Sequence, residues 1–426
     1  MSSEWTSPTI GDLVRQGEAT VQTGPFGSQL HSHDYVSSGT AVIPTEAIGR
    51  GKILDIAVPQ VASTKAMELS RHRLQLDDIL FARRGAQATG LSAIVDSRHQ
   101  GELCGTGALL LRVQSPRVDP SYLAMFLSSE TSYRWLRTHA VGAVMLNLNT
   151  DIIKSFPLEL PGIEEQRSLA RFLGAVDDRI ALLRETNATL EAIAQALFKP
   201  WFVEFDPVRA KQQGLAPAGM DESTAALFPD SFEESALGSI PNGWQVGALQ
   251  DLLVLQRGFD LPSQDRIPGD FPIIAASGPS GTDVEAMSKG PGVITGRFGV
   301  LGRVFLELGD YWPHNTTLWV KEFRAATACY AYEVLRFLDF KAFNAGSAVP
   351  TLNRNHIRDL PYVIPARACV DTYKVLAQQM HQRARVNELQ AQTLATLRDT
   401  LLPRLISGQL RLPLVEKAIA EAAHAD

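Results

Sequence analysis

At 426 residues, 45% apolar and 20% charged, the chain has the make-up of an ordinary soluble globular protein too long for one core, and about 100 to 200 residues per domain predicts two or three. It shows no run of about 18 apolar residues, no basic-then-apolar leader at Met1 and no C-x-x-C spacing among Cys104, Cys329 and Cys369. These features argue against a membrane span, a secretory signal, a disulfide scaffold and a zinc site, and fit a cytoplasmic setting. The net charge of −6 is concentrated: residues 158–240 carry 7 basic against 14 acidic side chains, whereas 1–157 carry 14 against 14 and 241–365 carry 11 against 12, leaving both flanking regions free to gather basic groups on one face.

The first region reads as short strands and turns. Gly24-Pro25-Phe26-Gly27-Ser28 predicts a turn, Ala41–Pro44 and Ile79–Ala82 predict strands, and Cys104-Gly105-Thr106-Gly107 leads into the apolar Ala108–Leu111. Asp119-Pro120 predicts a helix start, with Asp as N-cap and Pro at the first position. Gly142 to Pro157 is then echoed by Gly346 to Pro361 at a constant offset of 204 residues, with Gly, Leu-Asn, Ile and Pro in step and Pro161 over Pro365. In each copy an Asn, Asn149 or Asn353, predicts the N-cap of a short helix, and a Pro-bounded apolar strand precedes a long helical segment.

The first long helix begins near Ile163-Glu164-Glu165-Gln166-Arg167. Leu173, Val176, Ile180, Leu183, Asn187, Leu190, Ala194, Leu197 and Trp201 step by three and four, a heptad seam of about 42 Å interrupted by the polar Asn187. Residues 206–240, with several Gly and Pro, read as an ordered but irregular connector. The second copy repeats the plan: Gly292–Gly299 stands where Asp78–Gly85 stands, Tyr332–Leu338 supplies a helix, and Leu376, Met380, Asn387, Ala391, Leu394, Leu401 and Leu405 stripe the second long helix. Each long helix needs a partner of its own length, and the other is the obvious one. The antiparallel arrangement, centred near residues 185 and 389, would set Asn187 beside Asn387 as a register-fixing pair.

Leu160-Pro161-Gly162-Ile163-Glu164-Glu165-Gln166-Arg167, followed by Leu197 to Lys211, then Met220-Asp221 and Leu227 to Phe232, closely resembles the specificity subunit of type I restriction-modification enzymes, and the resemblance spans essentially the whole chain. It implies an α+β fold in which two pseudo-symmetric target-recognition domains are joined by two long antiparallel coiled-coil helices. The expected division is a first recognition domain over 1–160, a long helix over 161–205, a connector over 206–240, a second recognition domain over 241–365, a second long helix over 366–412 and a tail over 413–426. The resemblance further implies a non-catalytic subunit with no cofactor of its own. Each domain would read half of a bipartite double-stranded DNA target, with the helices setting the gap and docking two methyltransferase subunits that motor-nuclease subunits join. Pro365-Ala366-Arg367-Ala368-Cys369-Val370 replaces the Glu-Glu-Gln type of helix start in the second copy, so the two sides need not contact a partner identically.

The alternative is a stand-alone DNA methyltransferase with duplicated recognition domains. Asp119-Pro120-Ser121-Tyr122 resembles the tetrapeptide such enzymes use to grip an amino nitrogen, but no glycine-rich cofactor loop accompanies it and Asp-Pro is a common helix start. A coiled-coil adaptor without DNA leaves the duplicated yet divergent domains unexplained. Asp230, Glu233 and Glu234 lack the Lys of a nuclease cluster, His31-Ser32-His33 reads as an exposed loop rather than a metal site, and no G-x-x-x-x-G-K loop is present. The candidate DNA-reading residues are Arg83, Arg84 and Gln87, beside Gly85 at a strand exit, and their counterparts Arg297 and Arg303. Arg257, Lys289, His314, Asn315 and the Gly24 to Gln29 turn are weaker candidates of the same kind.

Overall fold

The computed structural model describes residues 5–142, 145–344 and 349–414; Ala143, Val144 and residues 346–348 of the repeat signatures, and most of the expected tail, lie outside the described residues. The chain divides into two compact units, Met1–Ala181 with Ala391–Asp426, and Leu182–Gln390.

In the first unit an antiparallel core sheet runs in the order Ala19–Thr23, Ala108–Val113, Ile79–Ala82, Ser92–Ile94, with Gly51–Lys52 added in parallel at the edge. The strand Ile79–Ala82 is buried on both faces, which is why it reads as a continuous apolar run rather than an alternating one. A second small sheet pairs Thr40–Ile43 in parallel with Leu103–Cys104. In the second unit the core order is Leu253–Arg257, Thr317–Phe323, Gly292–Gly296, Val304–Glu307, again antiparallel, and Phe271–Ala275 lies parallel to Trp312–Pro313. The two units therefore share strand order and strand sense, and the repeat seen in the sequence is a repeat of topology.

The helix starts follow from local chemistry. Asp119 accepts from the Tyr122 N–H, Thr327 from Tyr330, and Asn149 from Ile152, each satisfying an amide the helix leaves unpaired. Tyr122 is buried and its hydroxyl donates to the Glu159 carbonyl at 2.9 Å, so the Asp-Pro-Ser-Tyr tetrapeptide is a helix cap packed in the core. Residues 206–240 are more regular than the sequence suggests. A helix Asp206–Gln212 has Pro207 in its first turn, Phe232–Ser235 pairs with Gly238–Pro241, and Val208 and Phe228 are buried in the second unit's core.

The long helices are Ile163–Phe202 and Arg367–Ile406. In the first unit, Leu169 and Leu173 near the start of one share a core with Leu405 and Ile406 near the end of the other. In the second unit, Ala194, Phe198 and Trp201 pack with Cys369, Tyr373 and Ala377, so the pair is antiparallel. Asn387 Nδ2 donates to Asn187 Oδ1 at 2.9 Å, and Asn187 Nδ2 to the Ala384 carbonyl at 2.9 Å. All three cysteines are buried free thiols; burial pushes Cys104 up to about 12 and Cys329 and Cys369 up to about 11. No helix among the described residues is long and apolar enough to cross a membrane.

Candidate nucleic-acid interface

The strand exits singled out in the sequence open onto clefts in both units. Past Ile79–Ala82, successive side chains leave on opposite sides. Arg83 turns inward, and its Nε donates to Asn147 Oδ1 at 3.0 Å and to the Leu148 carbonyl at 3.1 Å. Arg84 is exposed, its guanidinium makes no ion pair or hydrogen bond to a described residue, and it lines a cavity of about 440 Å³ with Tyr35, Glu46, Thr106 and Met145. A Cβ on Gly107 would fall 2.1 Å from Thr45 Oγ1, so a larger residue there would have to push that hydroxyl aside. Gln87 is exposed, and its carbonyl accepts from the Tyr133 hydroxyl at 3.4 Å.

Arg297 occupies the place of Arg83: its carbonyl accepts from the Leu352 N–H, as that of Arg83 accepts from Leu148. Its neighbour Phe298 bridges Thr351 as Arg84 bridges Asn147. With Thr351 where the first copy has Asn147, the Arg297 guanidinium is not drawn inward and makes no ion pair or side-chain hydrogen bond to a described residue. It lines an open cleft of about 830 Å³ with Gln256, Arg257, Asp260, Asn353 and Arg354. Arg257 stands 3.7 Å from Asp260 with both side chains more than half exposed, a pairing that solvent screens strongly. Gly258 lets the chain pass His314, whose carbonyl would lie 2.2 Å from a Cβ.

The other candidates fall outside this group. Arg303 Nη1 donates to the Ser277 carbonyl at 2.6 Å and lies over the Phe305 ring. His314 is half-buried against Thr316 Oγ1 at 3.1 Å, and burial with the nearby Arg266 keeps it below its ordinary range and neutral. Asn315 donates to Asp260 on the cleft rim. His31, His33 and Asp34 do lie together, yet Lys65 Nζ stands 3.6 Å from Asp34 Oδ1, so the carboxylate already faces a cation. The residues sequence reasoning missed are Arg354, Gln256 and Thr351. Only Arg354 left a trace, as a basic side chain directly after an Asn N-cap.

A family model described as "Type I restriction modification DNA specificity domain" matches residues 68–192. The chain is 21% identical to the type I restriction enzyme HindI specificity subunit of Haemophilus influenzae over 96% of this chain and 100% of that protein. It is 22% identical to the type I restriction enzyme MjaIX specificity subunit of Methanocaldococcus jannaschii over 68% of this chain and 69% of that one. Among solved structures, the S subunit of a type I restriction-modification system from M. genitalium shares the fold, with a TM-score of 0.62 at 14% identity over 95% of this chain and 96% of that chain.

Proposed function

The chain belongs to the specificity subunits of type I restriction-modification systems, and from that premise we propose that each of its two units reads one half of a bipartite DNA sequence. The observation that carries this is the pair of clefts. Both lie beside the exit of the matching core strand, at positions one residue apart, and each presents a guanidinium with no side-chain partner among the described residues, Arg84 in one and Arg297, which matches Arg83, in the other. A guanidinium without a partner among the described residues suits the O6 and N7 acceptors of guanine or a phosphate oxygen. The chemistry belongs to partners: two methyltransferase subunits dock on the helical pair, motor-nuclease subunits join them, and the helices fix the gap between half-sites.

The test uses the full chain assembled with its methyltransferase subunits, after mapping of methylated bases has given the target. Arg84→Ala should cost about 1 to 3 kcal/mol and relax one half-site, and Arg297→Ala should do the same for the other, if each reads a base edge. A phosphate contact would instead lower affinity evenly and shrink the salt slope by about one. Arg83→Ala, which removes an internal contact, should act on stability first. Unchanged binding, specificity and salt dependence for both Arg84→Ala and Arg297→Ala would sink the assignment of these clefts. Seven residues inserted into the first long helix, about 10 Å, should change the tolerated gap and leave both half-sites intact.

A further inference from the structure

The second cleft holds a cation that the strand-exit comparison does not account for. Arg354 is exposed on its rim and has no ion pair or side-chain hydrogen bond to a described residue. It opens the helix Arg354–Arg358, whose first turn carries no acidic side chain, whereas the matching helix of the first copy, Thr150–Lys154, opens on Thr150 with Asp151 in its first turn. Unpaired amide N–H groups make a helix start electropositive, so the first copy has the side chains that local electrostatics favours and the second has the opposite.

The surrounding charges do not compensate. Arg257, Arg297 and Arg354 face the second cleft against a single carboxylate, Asp260, while the first cleft sets Arg84 against Glu46. Arg354 is also open on its far side. It rims a neighbouring cavity of about 250 Å³ whose other cations are already engaged, Arg358 by Asp359 at 2.7 Å and Arg324 by Glu322 at 3.3 Å. In the first unit a Cβ on Gly11 would lie 2.9 Å from the Lys154 carbonyl oxygen, so the matching turn and helix approach closely; the second unit carries Gln250 at that point of the equivalent capped turn. Arg354 thus stands on a ridge reachable from two sides, without a side-chain partner among the described residues, in a cleft with an excess of positive charge.

We propose that Arg354 is a contact to the DNA phosphate backbone, which makes the second unit's hold on DNA more sequence-indifferent and more salt-dependent than the first's. This rests on the DNA-reading function proposed above. A phosphate contact needs a charge within reach rather than a fixed fork of donors, so lysine should serve where alanine does not.

The assembled complex is titrated with a target duplex and a scrambled duplex between about 50 and 200 mM salt. Each phosphate contact contributes about 0.9 to the salt slope, so over that fourfold rise Arg354→Ala should lose about 3.5-fold less affinity than the parent. Its affinity should fall by one common factor on both duplexes, and Arg354→Lys should restore most of it. Thr150→Arg in the first unit should add a similar increment. An Arg354→Ala salt slope equal to the parent's, a loss confined to the target duplex, or failure of lysine to rescue would each overturn the proposal. A parent complex that shows no preference for the target overturns the half-site reading instead, and the Arg354 slope is still measured on its sequence-indifferent binding.

Discussion

The two copies fasten their long helices to their sheets by different means. In the first, Gln166 is fully buried at the helix start; its Nε2 donates to the Arg117 carbonyl at 2.9 Å and the Pro161 carbonyl at 2.7 Å, and its Oε1 accepts from the Asp119 N–H at 2.9 Å. By the 204-residue offset its counterpart is Val370, buried in an apolar core. The second unit sets its polar contact elsewhere, on the helix Ala328–Phe337. There Tyr332 donates to Glu191 Oε1 at 2.7 Å, Arg336 pairs with Glu191 at 2.8 Å, and Glu333 is wholly buried. Aligned on the caps Asp119 and Thr327, the first copy carries Ala124 and Met125 where the second carries Tyr332 and Glu333. A duplicated backbone fixes where a joint must be made and leaves its chemistry free: the first joint satisfies its buried amide, whereas the second buries the Glu333 carboxyl without a hydrogen bond, with Arg336 3.6 Å away.

The sharpest break of this comparison is to give the first joint the second's residue. Gln166→Val leaves the buried Pro161 carbonyl without this partner, and at a half-buried place the Arg117 carbonyl and the Asp119 N–H, which water can reach in part. At about 1 to 3 kcal/mol for a fully buried group and less for the other two, the first unit should lose about 2 to 5 kcal/mol in urea unfolding. A loss below about 1 kcal/mol would show that the glutamine is dispensable.

Glu333→Met makes the reverse exchange. Burial pushes Glu333 up to about 7, with Glu191 adding to the rise and Arg336 opposing it. Its folded value lies above its unfolded 4.5, so the native state binds the proton more tightly; this contribution is full below about 4.5 and is lost as pH rises through about 7. Removing the carboxyl should flatten that fall, on the order of 3 kcal/mol at most. His381, whose ring packs on Tyr332 and which burial holds below its ordinary range, acts with the opposite sign, since stability is lost as pH drops and the imidazole must charge. It is present in parent and variant, so the difference between their stability profiles isolates Glu333. Parallel profiles from pH 5 to 8 would refute the assignment.

A smaller effect is expected at the polar break in the heptad seam. Asn187→Leu with Asn387→Leu should raise the second unit's stability by about 1 to 2 kcal/mol, because Asn387 Oδ1 is buried without a partner, while loosening the register that the paired amides fix. Cysteine cross-linking at flanking positions should then give more than one pairing. A single pairing with unchanged stability would count against a register role.

What was legible in the sequence was what short-range chemistry decides. Asp119, Asn149 and Asn353 announce their caps because the amide each satisfies lies two or three residues on. The seam from Leu173 to Trp201 is visible because its spacing is helical, although Phe198 rather than Leu197 is the fully buried residue on its last turns. The stripe on the second helix was incomplete, since Cys369, Tyr373 and Ala377, all buried, are too mixed in size and polarity to announce a core face. The parting of Arg83 from Arg84 depends on Asn147, more than sixty residues away. Arg354 joins Arg257 and Arg297 only after three distant segments have met. Gln166 sat in the most recognisable stretch of the chain, yet its amide is spent inside the fold.

The burial of the three thiols has a practical consequence. Electrophiles and disulfides react with thiolate, and thiols raised to about 11 or 12 and shut from solvent supply almost none at pH 8. A cysteine placed on either cleft rim would therefore be the first to take a fluorophore or spin label in the otherwise native chain, and the two units could be followed one at a time on the same DNA.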